Sequence, residues 1–147
     1  MSDLDPVTQA TLRSAGWFPG RRVDTSLWRV SFAEAELVMH PAAEEFLAEF
    51  GGLQVGSRGA GITRAREAID LDPMNLWCSE EDRFAAWNEA RGVMVFPVGE
   101  LDHGHALLGI DEHGELYSVQ PFRLATFGRL PAGLDGLVLG VMPHRVA

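Results

Sequence analysis

The chain has no lysine and only one cysteine, and these two scarcities close several routes at once. Cys78 has no second cysteine to bridge to, so an internal disulfide is excluded and a cysteine-based zinc site lacks its ligands. A lone thiol fits a reducing compartment. All 12 basic residues are arginine, and against 21 acidic residues they leave a net charge of -9. A field of that sign repels phosphate backbones and attracts cations, so nucleic acid is not an expected partner and a basic protein is. No run approaches the roughly 20 consecutive apolar residues of a membrane span. The opening Met1-Ser2-Asp3-Leu4-Asp5 lacks the basic start and apolar middle of a signal peptide. The expectation is a cytoplasmic protein with no membrane association.

What is present is enough apolar material, 46% of 147 residues, to fill one core, and no repeat or linker interrupts it. A single domain over residues 1–147 is therefore expected. Asp5-Pro6 reads as a cap followed by proline at the first helical position, predicting a helix to Ala15 that Gly16 stops. Asp24 can cap a second helix with Trp28, Phe32 and Ala35 at helical spacing, leaving Leu27 and Val30 on its flanks. Pro41 opens a third, whose Ala43, Phe46, Leu47 and Phe50 form one stripe before Gly51-Gly52. Ser79, followed by Glu80, Glu81 and Asp82, starts a fourth with Phe84 and Trp87 inward and Gly92 at its end.

Between and after these helices the pattern turns to strands: Leu53–Val55, Glu67–Leu71, Val93–Val98, His105–Ile110 and Leu116–Val119. Asp102-His103-Gly104 and Asp111-Glu112-His113-Gly114 read as hairpin connections. Leu134–Val141 fits neither period and is left as helix or strand. Helices early and strands late give an α+β class, with a mostly antiparallel sheet from the C-terminal half and the N-terminal helices packed around it.

Candidate chemistry is sparse. His103 and His105, with Asp102, Asp111 and His113 nearby in sequence, could form a mononuclear metal site, although Gly104 points to a turn that breaks strand alternation. Cys78 would be a nucleophile only beside a distant histidine, and reads more simply as structural. Asp70 and Asp72 are spaced like paired carboxylates, but Asp72-Pro73 also makes a turn. The loop Gly56–Gly61 lacks the phosphate-binding and dinucleotide-binding glycine patterns and reads as a mobile surface loop. No catalytic residue, metal ligand or cofactor is expected.

Three strings in order carry a resemblance. Leu12-Arg13-Ser14-Ala15-Gly16-Trp17-Phe18-Pro19-Gly20-Arg21-Arg22-Val23-Asp24 resembles the opening motif of the third group of the SUKH immunity-protein superfamily. Ala43 to Leu53, ending in Gly51-Gly52-Leu53, is similar to that family's helix and turn, and Val95 to Glu100 with Leu108 to Asp111 resembles its hairpin. The resemblance implies an α+β domain that binds and neutralises a cognate toxin inside the producing bacterium, often a nuclease or another enzyme acting in the cell. It implies no catalytic residues. Physically, Gly16, Trp17, Pro19, Gly20, Arg21, Gly51, Gly52 and Leu53 read as packing and turn residues, with Phe18 also a candidate for burial and Arg21 and Arg22 placed to pair with acidic neighbours.

The expected contact face for a basic toxin domain is Asp70, Asp72, Trp77, Glu80, Glu81 and Asp82, an aromatic anchor amid negative charge. Two rival readings stand beside it: a regulatory interaction module of the same fold whose partner is a host protein, and a metal-assisted hydrolase using Asp102, His103, His105 and His113.

Overall fold

The structure, a computed structural model, describes residues 3–75 and 81–147. Three helices come first: α1 (Pro6–Ser14), α2 (Ser26–Ala33) and α3 (Pro41–Phe50). Two short strands follow, β1 (Gln54–Val55) and β2 (Ile69–Asp70), then a 3₁₀ turn at Pro73–Asn75 and helix α4 (Glu81–Arg91). The remainder is β3 (Phe96–Leu101), β4 (Ala106–Ile110), β5 (Glu115–Gln120), β6 (Arg123–Arg129), α5 (Ala132–Leu139) and β7 (His144–Arg145). Each strand pairs antiparallel with its neighbour in sequence, giving one seven-stranded meander. The class is α+β, as the order of patterns implies.

Helices α1 and α3 form where their starts and stripes say they should, while α2 has Thr25 and not Asp24 at its N-cap position and stops at Ala33, short of Ala35. The Asp5 carboxylate accepts the Val7 N–H and opens α1. Asp24 accepts both the N–H and the hydroxyl of Ser26, and those bonds hold its carboxyl below the usual range. In α2, Trp28 and Phe32 are buried while Leu27 and Val30 lie exposed on the flanks. Helix α3 buries Ala43, Phe46, Leu47 and Phe50, each large side chain contributing about 1.5–3 kcal/mol by leaving water. Its cap is His40, whose Nδ1 accepts the Ala43 N–H, so that Nε2 donates toward the carbonyls of Met94 and Ile110. One imidazole thereby ties the start of α3 to the entrance of β3 and the adjoining end of β4.

Several expectations shift. The third strand begins at Phe96 rather than Val93 because the Asn88 side chain bonds both the N–H and the carbonyl of Val95, holding that stretch beside α4. The strands β6 and β7 carry no clean alternation in sequence and were not anticipated. Leu134–Val141 resolves as helix α5, extending to Leu139: Gly133, Leu134, Gly136, Leu137, Val138 and Leu139 are all buried, so the segment shows no polar face from which a period could be read. Gly133 lies so close to Gly128 of β6 that a Cβ would fall 2.1 Å from the Gly128 carbonyl oxygen. The glycine-rich loop, expected to be a mobile surface loop, is tied down at its far end. Ile62 donates to the Leu139 carbonyl, and Thr63 and Arg64 both donate to that of Gly140, closing the C-terminus of α5.

Candidate functional site

The opening and Gly-Gly-Leu motifs meet in space and build scaffold. Gly16, at φ 111°, ends α1 in the left-handed region, and Trp17 turns inward to stack on Phe50 while its indole N–H donates to Glu49. The Pro19-Gly20 turn brings Arg21 under the end of α3. There its guanidinium donates to the carbonyls of Glu49 and Gly51, at 2.7 and 2.9 Å. Arg21 thus caps a helix where pairing with acidic neighbours was expected, and Phe18, a candidate for burial, is 54% exposed. Gly51 is required by contact: a Cβ there would lie 2.6 Å from the Trp28 ring. The Gly52 N–H donates to the Leu71 carbonyl and the Leu71 N–H to that of Leu53, so the motif also starts the sheet.

The six residues expected to meet a basic partner separate. Trp77 and Glu80 lie outside the described residues, as do Cys78 and Ser79, and Glu81 is placed as the first residue of α4. Asp72 is engaged internally: one carboxylate oxygen accepts the Trp28 indole N–H and the Met74 N–H, each at 3.0 Å. Asp82 is exposed at the start of α4, on the lip of a shallow groove with Arg83, Ala86, Trp87 and Pro121. Asp70 alone lines a polar cleft.

The histidines do not converge. The turn after β3 places Asp102 and His103 at φ 52° and 53°, which sends His103 to the cleft beside Asp70 and His105 to a second one with Arg64, Gln120 and Arg123. His105 pairs with Asp102 at 2.6 Å. Asp111 and His113 sit at the other end of β4, about 17 Å away for a five-residue strand. Among the described residues no three histidine, cysteine or acidic side chains lie close enough to hold a metal ion.

The cleft by Asp70 is where the geometry departs from an ordinary fold. Register sets Gln54 opposite Asp70, Asp70 opposite Glu100, Glu100 opposite Leu107, Leu107 opposite Val119 and Val119 opposite Leu124. Paired positions share a face, so this row passes from an amide through two acids to three apolar side chains. At its polar end lies a cleft of about 350 Å³, lined by Gln54, Val55, Ile69, Asp70, Glu100 and His103. Glu100 is only 9% exposed, and its Oε2 is buried with no hydrogen-bond partner. Burial, and then the facing Asp70 carboxylate, push its pKa above the usual glutamate value, against a smaller opposing effect of His103. Two like charges directly opposite on neighbouring strands also repel. Sequence reading passed over Glu100 as part of a hairpin motif. The available signal was a lone charge inside the otherwise apolar run from Val95 to Leu101.

A profile of the SUKH-3 immunity protein family matches residues 4–140, nearly the whole chain. The chain belongs to the SUKH-3 immunity protein family. That membership carries an immunity function against toxins, and SUKH-3 motifs now have a physical role as the knot joining α1, α3 and β1. No curated protein and no solved structure matches the chain. Among the described residues no helix is long and apolar enough to cross a membrane.

Proposed function

We propose that this protein is a cytoplasmic immunity factor that neutralises one cognate toxin domain by stoichiometric binding, with no catalytic step and no cofactor, and that the whole chain acts as one domain. The observation that carries the reading is the SUKH-3 match over residues 4–140. The net charge of -9 supports a basic partner, such as a nuclease domain, because summed charge of one sign steers a partner of the other and speeds encounter. The opening and Gly-Gly-Leu motifs are spent on packing, so recognition belongs to surfaces outside those two. Of these, the Asp70–Glu100 cleft and the acidic start of α4 match a cationic partner.

Titration calorimetry against the purified C-terminal toxin domain encoded beside this gene tests the reading. The expected outcome is one-to-one binding with a Kd in the nanomolar range, about -12 kcal/mol. No detectable heat at several temperatures would leave the immunity reading without its partner.

A further inference from the structure

The geometry points to the cleft between β1 and β3 as a socket for one cationic side chain of the toxin, an arginine or lysine, with Glu100 as the buried counter-charge. This deepens the immunity reading and rests on it.

A carboxylate taken out of water is stabilised in folds by hydrogen bonds or an opposite charge, because an isolated one costs several kcal/mol or gives up its charge. Asp111 follows that rule. It is 4% exposed and accepts the N–H groups of His113 and Glu115 and the hydroxyl of Tyr117. Glu100 is nearly as buried, yet its Oε2 meets no donor. Three further buried side-chain atoms among the described residues lack a partner, Thr8 Oγ1, Arg66 Nε and Arg123 Nε, and none of them is an acid. Glu100 also opens onto a cleft, whereas a neglected core group would face packed side chains.

The surroundings select the ligand's charge. Asp70 stands across the strand pair and Gln54 beyond it offers an amide oxygen, while the paired Val55 and Ile69 turn their side chains to the other face, into the core, and border the cleft from behind. An arriving guanidinium or ammonium would relieve the repulsion between the two acids and supply the donor Oε2 lacks. The volume of about 350 Å³ admits such a head group with accompanying waters, each taking roughly 30 Å³. The substitution that tests the socket, Glu100→Gln, keeps the shape and removes the charge, giving up within the fold only the minor attraction to His103 while relieving the larger repulsion from Asp70.

Calorimetry of E100Q against the same toxin domain is expected to show an affinity loss of about thirty-fold or more, the scale of removing one partner of a buried charge pair, with thermal stability equal to or above that of the parent. Each arginine and lysine of the toxin is then replaced by alanine in turn. One of them is expected to weaken the parent complex and to cost nothing further against E100Q. An E100Q affinity within two-fold of the parent, or losses that add for every basic residue, overturns the socket and leaves the immunity reading intact. If the parent itself fails to bind the toxin, the immunity reading fails separately, and the socket is read with methylguanidinium alone. Saturable carbonyl and carboxyl NMR shifts at Glu100, absent from E100Q, uphold it, and no saturable shift overturns it.

Discussion

Asp111 and Glu100 are two acids buried to a similar degree at opposite ends of the β3–β4 pair, and they have opposite relations to the fold. Asp111 closes the β4–β5 turn with two backbone donors and a tyrosine hydroxyl. That bond, after burial, holds the Tyr117 hydroxyl protonated far above its ordinary range. Glu100 contributes no bond through Oε2 and sits opposite another acid. Burial alone therefore does not show whether an acid is used by the fold. The count of satisfied partners does.

The comparison breaks if the two sites respond alike to substitution. Asp111→Ala removes an acceptor from three donors, and a loss of about 3–4 kcal/mol is expected in urea unfolding, since each stranded donor costs about 1–3 kcal/mol. Arg21→Ala uncovers two carbonyls at the end of α3, with an expected loss of about 2 kcal/mol. Lysine at position 21 recovers little of it, because the planar fork reaches both carbonyls and an ammonium does not.

Glu100→Gln is expected to move the other way, and its pH dependence fixes the sign. A carboxyl whose folded pKa is raised binds its proton more tightly in the folded state, so ionisation costs stability as pH rises from the ordinary value of 4.5 through the raised one. The parent chain should lose stability across that window relative to E100Q, and urea midpoints at pH 4 and pH 8 check it. A parent midpoint that gains on E100Q as pH rises would remove the view of Glu100 as a strained acid. The smallest effect belongs to Asp82→Arg. Being exposed at the start of α4, it should change stability by no more than about 0.5 kcal/mol. It should slow toxin association several-fold at low salt and little at high salt, as stopped-flow rates would show.

Most of the helices could be read from the chain because their signals are local. Asp5, Asp24 and Pro41 mark starts, and the stripe of α3 is wholly buried. The sheet was read only where alternation or a turn announced it. β6 has a mixed burial pattern, and α5 is apolar but for Asp135, so neither offers a period. The site was less legible for a different reason. Asp70 was picked out by its charge, but what distinguishes Glu100 is a missing partner and a neighbour 30 positions away, and both depend on strand register. Asp72 looked equivalent to Asp70 in sequence and is consumed by Trp28, 44 positions earlier.

The meander begins and ends with strands of two residues, Gln54–Val55 and His144–Arg145. Edges that short present few free backbone groups of their own to template an added strand, so β-augmentation on either would gain little length. Recognition is left to side chains and their charges. On the proposed reading, a few surface substitutions would change which toxin the same backbone recognises.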